Sequence, residues 1–132
     1  MAEAYGKLTG KPGVLLVTRG PGACNASIGI HTAFQDSTPL VLLVGQVPRR
    51  HLGREAFQEL DYARMFGEMA KWVTVAEDAE AVPELVSHAF HTATSGRPVS
   101  LPYASAMFAA AASWRVVNRR IGDSPSASST AT

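Results

Sequence analysis

At 132 residues and 46% hydrophobic content, the chain has the size and apolar share of one packed domain. Twelve Lys and Arg against eleven Asp and Glu leave a net charge of +1, and only Arg49-Arg50 and Arg119-Arg120 pair basic residues, so nucleic-acid binding has no electrostatic footprint. No apolar run is long enough to span a membrane, no signal peptide is visible, and the single cysteine, Cys24, cannot form an internal disulfide; together these fit a cytoplasmic protein.

Met1 to Leu8 is rich in helix formers and predicts a helix that ends on Gly10. It starts without a capping Ser, Thr, Asp or Asn. Val14 to Thr18 follows as a continuous β-rich apolar run, the pattern of a parallel strand buried on both faces. Gly20-Pro21-Gly22 breaks that strand: glycine accepts positive φ or close approach of a ligand, and proline stiffens the turn. A helix is expected from about Ala23 to Phe34, with its first free N–H groups pointing back at the turn. Taken alone, such a turn also serves merely to reverse the chain. A dinucleotide fingerprint is the rival reading, but Asn25 occupies the place of its third glycine and no acidic residue ends the next strand. Cys24 near the helix start has no base beside it in sequence and reads as a small packing residue.

Asp36-Ser37-Thr38-Pro39 is turn chemistry. Leu40 to Val44 is a second fully apolar strand, followed by a polar loop from Gln46 to about Glu59 that is long enough to be functional. A short irregular helix over Asp61–Met69 leads to a third strand at Trp72–Val75. Glu77 and Asp78 precede a helix with Pro83 in its first turn, apolar residues at Leu85, Val86, Ala89, Phe90 and Ala93, and Gly96 at its end. His88 and His91 stand three apart on it, but no residue completes a metal site, so a solvated face is expected and no metal ligands are assigned. Val99–Leu101 suggests a last short strand. Beyond it the sequence loses regularity, and 104–132 reads as an irregular, disordered tail.

Alternating apolar strands and helices predict an α/β fold, a parallel sheet with helices on both faces. Ligands of such sheets sit at the carboxyl ends of the strands, which places 19–25 and 46–58 on one rim.

With both loops placed, residues 1 to about 98 resemble the pyrimidine-binding domain of the thiamine-diphosphate-dependent acetolactate synthase large subunit. The resemblance rests on six motifs in order: AYGKLTGKPG (4–13), TRGPGACN (18–25), DSTPL (36–40), GQVPRR (45–50), REAFQE (54–59) and SGRP (95–98). It implies that 1–103 is a partial pyrimidine-binding domain in which Gly20, Pro21, Gly22 and Asn25 meet the cofactor's aminopyrimidine. Phe57 and Gln58 are implied as the catalytic pair reaching towards the thiazolium, and Gln46, Pro48 and Lys71 as lining the substrate channel. Family members decarboxylate a 2-oxo acid such as pyruvate and transfer the two-carbon unit to a second 2-oxo acid. They use Mg²⁺ and FAD besides thiamine diphosphate, and they assemble as dimers or tetramers in which the diphosphate-binding domain of another subunit completes the site.

Two departures stand beside the matches. The strand–helix–strand unit that carries the family's activating glutamate has no counterpart, and the sequence leaves the family pattern after Arg97-Pro98 with Val-Ser-Leu-Pro-Tyr, as a frameshift would produce. The expectation is therefore a fragment of a longer reading frame, without the glutamate, the metal ligands or the flavin domain, and inactive alone. The alternatives are half of a split enzyme that pairs with a separate diphosphate-binding chain, and a nucleotide-binding α/β module.

Overall fold

A computed structural model describes residues 1–94 and 98–104 of the chain. The helix α1 spans Ala2–Thr9 and ends where Gly10 turns left-handed at φ 67°, its N–H returning to the Gly6 carbonyl. The strand β1 (Gly13–Val17) leads into the helix α2 (Pro21–Gln35), and β2 (Leu40–Gln46) follows. After a single 3-10 turn at Arg49–His51 come the helix α3 (Tyr62–Phe66), the two-residue strand β3 (Trp72–Val73), the helix α4 (Val82–Ala93) and β4 (Pro98–Ala104). The four strands form one sheet in the order β1-β2-β4-β3, and every pairing is parallel. The predicted parallel partnership of the first two apolar runs is thus present, with Val14 opposite Val41 and Leu16 opposite Leu43.

The sheet's two faces are covered unequally. Leu40, Leu42 and Val44 point to one face, where Ala23, Ala26, Ile30 and Ala33 of α2 pack on them with Tyr62 and Phe66 of α3. The alanines let α2 lie close to the strands, and each large apolar side chain buried here contributes about 1.5–3 kcal/mol. Val41 and Val99 point to the other face and pack on Ala89 and Ala93 of α4, with Leu43 and Trp72 at the margin. β2 is therefore buried on both faces, as its sequence predicts. β1 is not: α4 does not reach it, and Val14 and Leu16 stay 49% and 51% exposed at the sheet's edge.

Other boundaries also moved. α2 begins at Pro21, two residues earlier than predicted, because a proline at the first helical position loses no hydrogen bond and has its φ preset. Its far end closes with Ser37 at φ 53° and the N–H groups of Ser37 and Thr38 bonded back to the Phe34 and Ala33 carbonyls. The third strand keeps only Trp72 and Val73, although Thr74 still donates to the Ser100 carbonyl. The last strand is not short: it runs seven residues and lies inside the sheet between β2 and β3. Asp78, four residues before α4 starts, closes a local turn by accepting the Glu80 N–H. His88 is exposed but sets its ring edge-on to Trp72 at 4.5 Å, so that helix face is not wholly solvated. Cys24 is exposed, and the packing role expected for it falls to its neighbour Ala23. Gly96 and the tail after Ala104 lie outside the described residues.

Candidate functional site

Because β1 and β2 are parallel and in register, the chain leaves both at the same end of the sheet. Arg19 to Asn25 leaves β1 there and 46–60 leaves β2, so the two loops share one rim.

The first loop is shorter than the sequence suggests. Only Gly20 breaks the chain, at φ 57° and ψ −112°, a conformation that side chains with a Cβ rarely adopt, while Pro21 and Gly22 already belong to the first turn of α2. Gly20 is buried, whereas Pro21 and Asn25 are exposed and Gly22 is half-buried. No side chain caps α2 and no acidic residue occupies its first turn, so its leading N–H groups and dipole face the rim without a competing carboxylate. A Cβ on Gly22 would come within 2.8 Å of the Thr18 methyl, which fixes glycine where the helix crosses the end of β1.

The second loop is held in shape by its own side chains. Glu59 accepts the N–H of Gly53 at 2.6 Å and that of Ala56 at 3.0 Å. These two backbone bonds hold its carboxyl below the usual carboxylate range. Gln46 is buried and spends both ends of its amide on the loop, donating to the Leu60 carbonyl at 2.8 Å and accepting the Val47 N–H at 2.9 Å. Glu55 and Gln58 take positive φ, 53° and 64°, which sends successive side chains in different directions. The outcome is a Phe57 ring 79% exposed beside a half-buried Gln58.

Two contacts join the loops, and a third ties the first loop to α3. Arg19 donates from Nε to the Phe57 carbonyl at 3.2 Å. Gln58 lies over Gly20 so closely that a Cβ there would be 2.8 Å from its own Cβ. The Gly20 N–H donates to the Tyr62 hydroxyl at 2.9 Å in a buried bond. Tyr62 is 2% exposed, and burial pushes its phenol up.

The structure thus brings Gly20, Pro21, Gly22, Phe57 and Gln58 to one rim, with Asn25 one turn along α2 and Pro48 half-buried at the start of the second loop. It places two predicted residues elsewhere. Gln46 lies beneath the loop as a support. Lys71 precedes β3 and donates its N–H to the Pro98 carbonyl, level with Leu40 at the amino end of the sheet. Six residues of β2 separate that level from Gln46, about 20 Å of strand. Sequence reading missed Tyr62 and Glu59; neither carries a local signal, since one acts across 42 residues and the other through backbone groups. A separate cavity of about 700 Å³ lies between α2 and α3, lined by residues such as His31, Phe34, Met65 and Met69 and none of the rim.

Among the described residues no group of three or more His, Cys, Asp or Glu side chains is placed to hold a metal ion, and no helix is long and apolar enough to cross a membrane. The rim presents a backbone turn without a side chain at Gly20, an uncapped helix start, and an amide and an aromatic ring from the facing loop.

Comparison with known proteins bears on the family of the chain. Residues 1–65 match the family model for the thiamine pyrophosphate enzyme, N-terminal TPP binding domain. The chain is 45% identical over 98 residues to the acetolactate synthase catalytic subunit, mitochondrial, of Saccharomyces cerevisiae, covering 74% of this chain and 14% of that one. It is 44% identical over 97 residues to the acetolactate synthase, chloroplastic, of Arabidopsis thaliana, with the same two coverages. It is also 44% identical over 98 residues to the acetolactate synthase large subunit of Haemophilus influenzae, covering 74% of this chain and 17% of the relative. The chain therefore spans about one-seventh of the length of the curated relatives it matches. The ordered motifs, the parallel sheet and these matches together place the chain in the thiamine pyrophosphate enzyme family, as an acetolactate synthase-like form of its N-terminal domain.

Proposed function

We propose that the rim formed by residues 19–25 and 46–60 binds the aminopyrimidine half of thiamine diphosphate within an acetolactate synthase-like enzyme. The observation that carries this reading is Gly20: a residue confined to glycine, at the mouth of an uncapped helix, directly beneath Gln58. In this reading the Gly20-Pro21-Gly22 backbone forms the floor for the pyrimidine ring, with Asn25 beside it. Phe57 and Gln58 lean over from the facing loop, the ring excluding water and the amide orienting a carbonyl. Pro48 lines the way in. Bound thiamine diphosphate supplies the nucleophilic carbon that adds to the carbonyl of a 2-oxo acid and allows carbon dioxide to leave. The protein residues hold and orient the reactants.

In this reading the Mg²⁺-diphosphate end of the cofactor, and the FAD of the wider group, are held by other parts of the enzyme or by a second subunit. Pairing with a diphosphate-binding domain, and a 2-oxo acid such as pyruvate as substrate, belong to the same reading. A cytoplasmic location rests on the single exposed cysteine; relatives with mitochondrial and chloroplastic names make cell fractionation its test.

The chain alone should bind thiamine diphosphate no more tightly than about millimolar, because the diphosphate is the stronger anchor and a ring stacked on one open face gains little against its loss of freedom. Calorimetry with thiamine diphosphate and Mg²⁺, with and without a diphosphate-domain chain, tests this together with pyruvate consumption. Millimolar binding that perturbs Gly20–Asn25 supports the reading, and activity appearing only with the second chain supports the split-enzyme form. Micromolar binding by the chain alone would show that a diphosphate seat exists after all, and no perturbation of Gly20–Asn25 at any concentration would refute the pyrimidine site.

A further inference from the structure

The rim is tied together by one buried hydroxyl. Tyr62 belongs to neither loop; it is the first residue of α3, whose start is capped by the Asp61 carboxylate accepting the Arg64 N–H at 3.1 Å. Its ring is stacked against Phe66, with centroids 6.3 Å apart and planes 20° from parallel, inside the cluster that joins α2, α3 and β2. From that fixed base the hydroxyl oxygen reaches the Gly20 N–H at 2.9 Å. The Arg19–Phe57 bond between the loops is exposed and open to competition from water, whereas the Tyr62–Gly20 bond, which ties the first loop to α3, is buried.

The Gly20 carbonyl is held by the Cys24 N–H at 3.0 Å in the first bond of α2, and Tyr62 holds the N–H side of Gly20. Its φ of 57° and ψ of −112° lie outside the wells most residues occupy, and glycine is conformationally the freest residue. With its N–H committed to Tyr62, the plane of the Arg19–Gly20 peptide is fixed just ahead of the entry of the chain into α2. Gln58 rests on the same residue, so a change in that plane would also be felt by the facing loop.

We propose that Tyr62 is a positioning residue of the cofactor rim: its hydroxyl sets the Gly20 peptide, and through Gly20 the placement of Phe57 and Gln58. The proposal rests on the pyrimidine-site reading for its function but not for its geometry, and the experiment separates the two. Amide hydrogen exchange is followed by NMR on the full 132-residue chain and on Tyr62→Phe, which keeps the ring and its stack on Phe66. In the parent, the Gly20 amide should be protected like a buried bonded N–H. In Tyr62→Phe it should exchange roughly tenfold faster or more, and the Phe57 and Gln58 amide resonances should shift, while Ile30 and Leu42 keep their protection within about twofold. Arg19→Ala, by contrast, should leave Gly20 protected.

A purely structural tyrosine would lower protection throughout α2 and β2 together, and that result would overturn the proposal. So would an unprotected Gly20 in the parent, or one unmoved by the substitution. If Tyr62→Phe does not fold, 3-fluorotyrosine labelling of the parent replaces it: the weaker acceptor oxygen should move the Gly20 amide proton resonance, and an unmoved resonance overturns the proposal. Titrating thiamine diphosphate with Mg²⁺ into the same samples tests the underlying reading. Shifts at Gly20–Asn25 that weaken in Tyr62→Phe support both, shifts equal in the two proteins overturn the positioning role, and no shifts in the parent overturn the cofactor reading while the exchange result still decides what Tyr62 does.

Discussion

Replacing Gly20 by alanine is the most direct test of the rim's construction. The new Cβ would have to sit at φ 57°, in a region costing a side-chain-bearing residue about 1–3 kcal/mol. It would also stand 2.8 Å from the Gln58 Cβ and 3.2 Å from the Gln58 carbonyl oxygen. Gln58 has little room to yield, since it is itself held at φ 64° in a loop clamped by Glu59 and Gln46. Strain and overlap together should cost about 2–4 kcal/mol. In a domain of this size each kcal/mol lowers Tm by about 4–8 °C, so Gly20→Ala should melt about 8 °C or more below the parent by far-UV circular dichroism. Gly29→Ala is the control: it lies in the interior of α2 with open space where the methyl would go, and should gain about 0.5–1 kcal/mol. A Gly20→Ala protein that melts within about 2 °C of the parent would show that the turn is neither strained nor closed by Gln58.

Three further outcomes are expected. Ser100 lies in the interior strand β4, fully buried, with its hydroxyl oxygen unpartnered. Ser100→Ala should therefore raise stability to chemical denaturation by about 1 kcal/mol, and a loss would mean that the hydroxyl is bonded. Glu59 has its pKa lowered by the Gly53 and Ala56 N–H groups, so its contribution is present above the ordinary carboxylate pKa and lost as pH falls through the lowered folded-state value. Glu59→Gln should accordingly flatten the acid limb of a stability–pH curve, and an unchanged limb would refute the clamp. Tyr62 has its pKa raised by burial, so its contribution is whole below the ordinary phenol value and declines as pH rises past it. In the parent, tyrosinate absorbance should show one tyrosine ionising late or only on unfolding, and that component should vanish in Tyr62→Phe.

The elements that announce themselves in the sequence are those whose local chemistry and tertiary role agree. Gly10 ends α1 as its type predicts, and the apolar runs of β1 and β2 pair in parallel. β4 was harder to read, because Pro98, Ser100 and Pro102 interrupt its apolar pattern; the sheet accepts it through its partners on both sides, not through its own propensity. β1 misled in the opposite sense, since a doubly apolar strand gives no sign that one face goes uncovered. At the rim, the motifs located Gly20 and the Phe57–Gln58 pair, but the ties made by Tyr62, Gln46 and Glu59 depend on where a folded loop returns. No spacing rule encodes a bond between positions 20 and 62. The backbone of Lys71 lies level with Leu40 at the amino end of the sheet, a position that the parallel topology sets and the local sequence does not announce.

The half-covered β1 bears on how the protein behaves in a tube. Among the described residues it is hydrogen-bonded to a neighbour on one side only, and its outer face offers Val14 and Leu16 to water, so a backbone edge and an apolar surface coincide there. A net charge of +1 provides little mutual repulsion to keep such edges apart. Association should therefore grow with concentration through β1, and a single Leu16→Lys change, placing a charge where the strand is already half in solvent, should oppose both contacts at once.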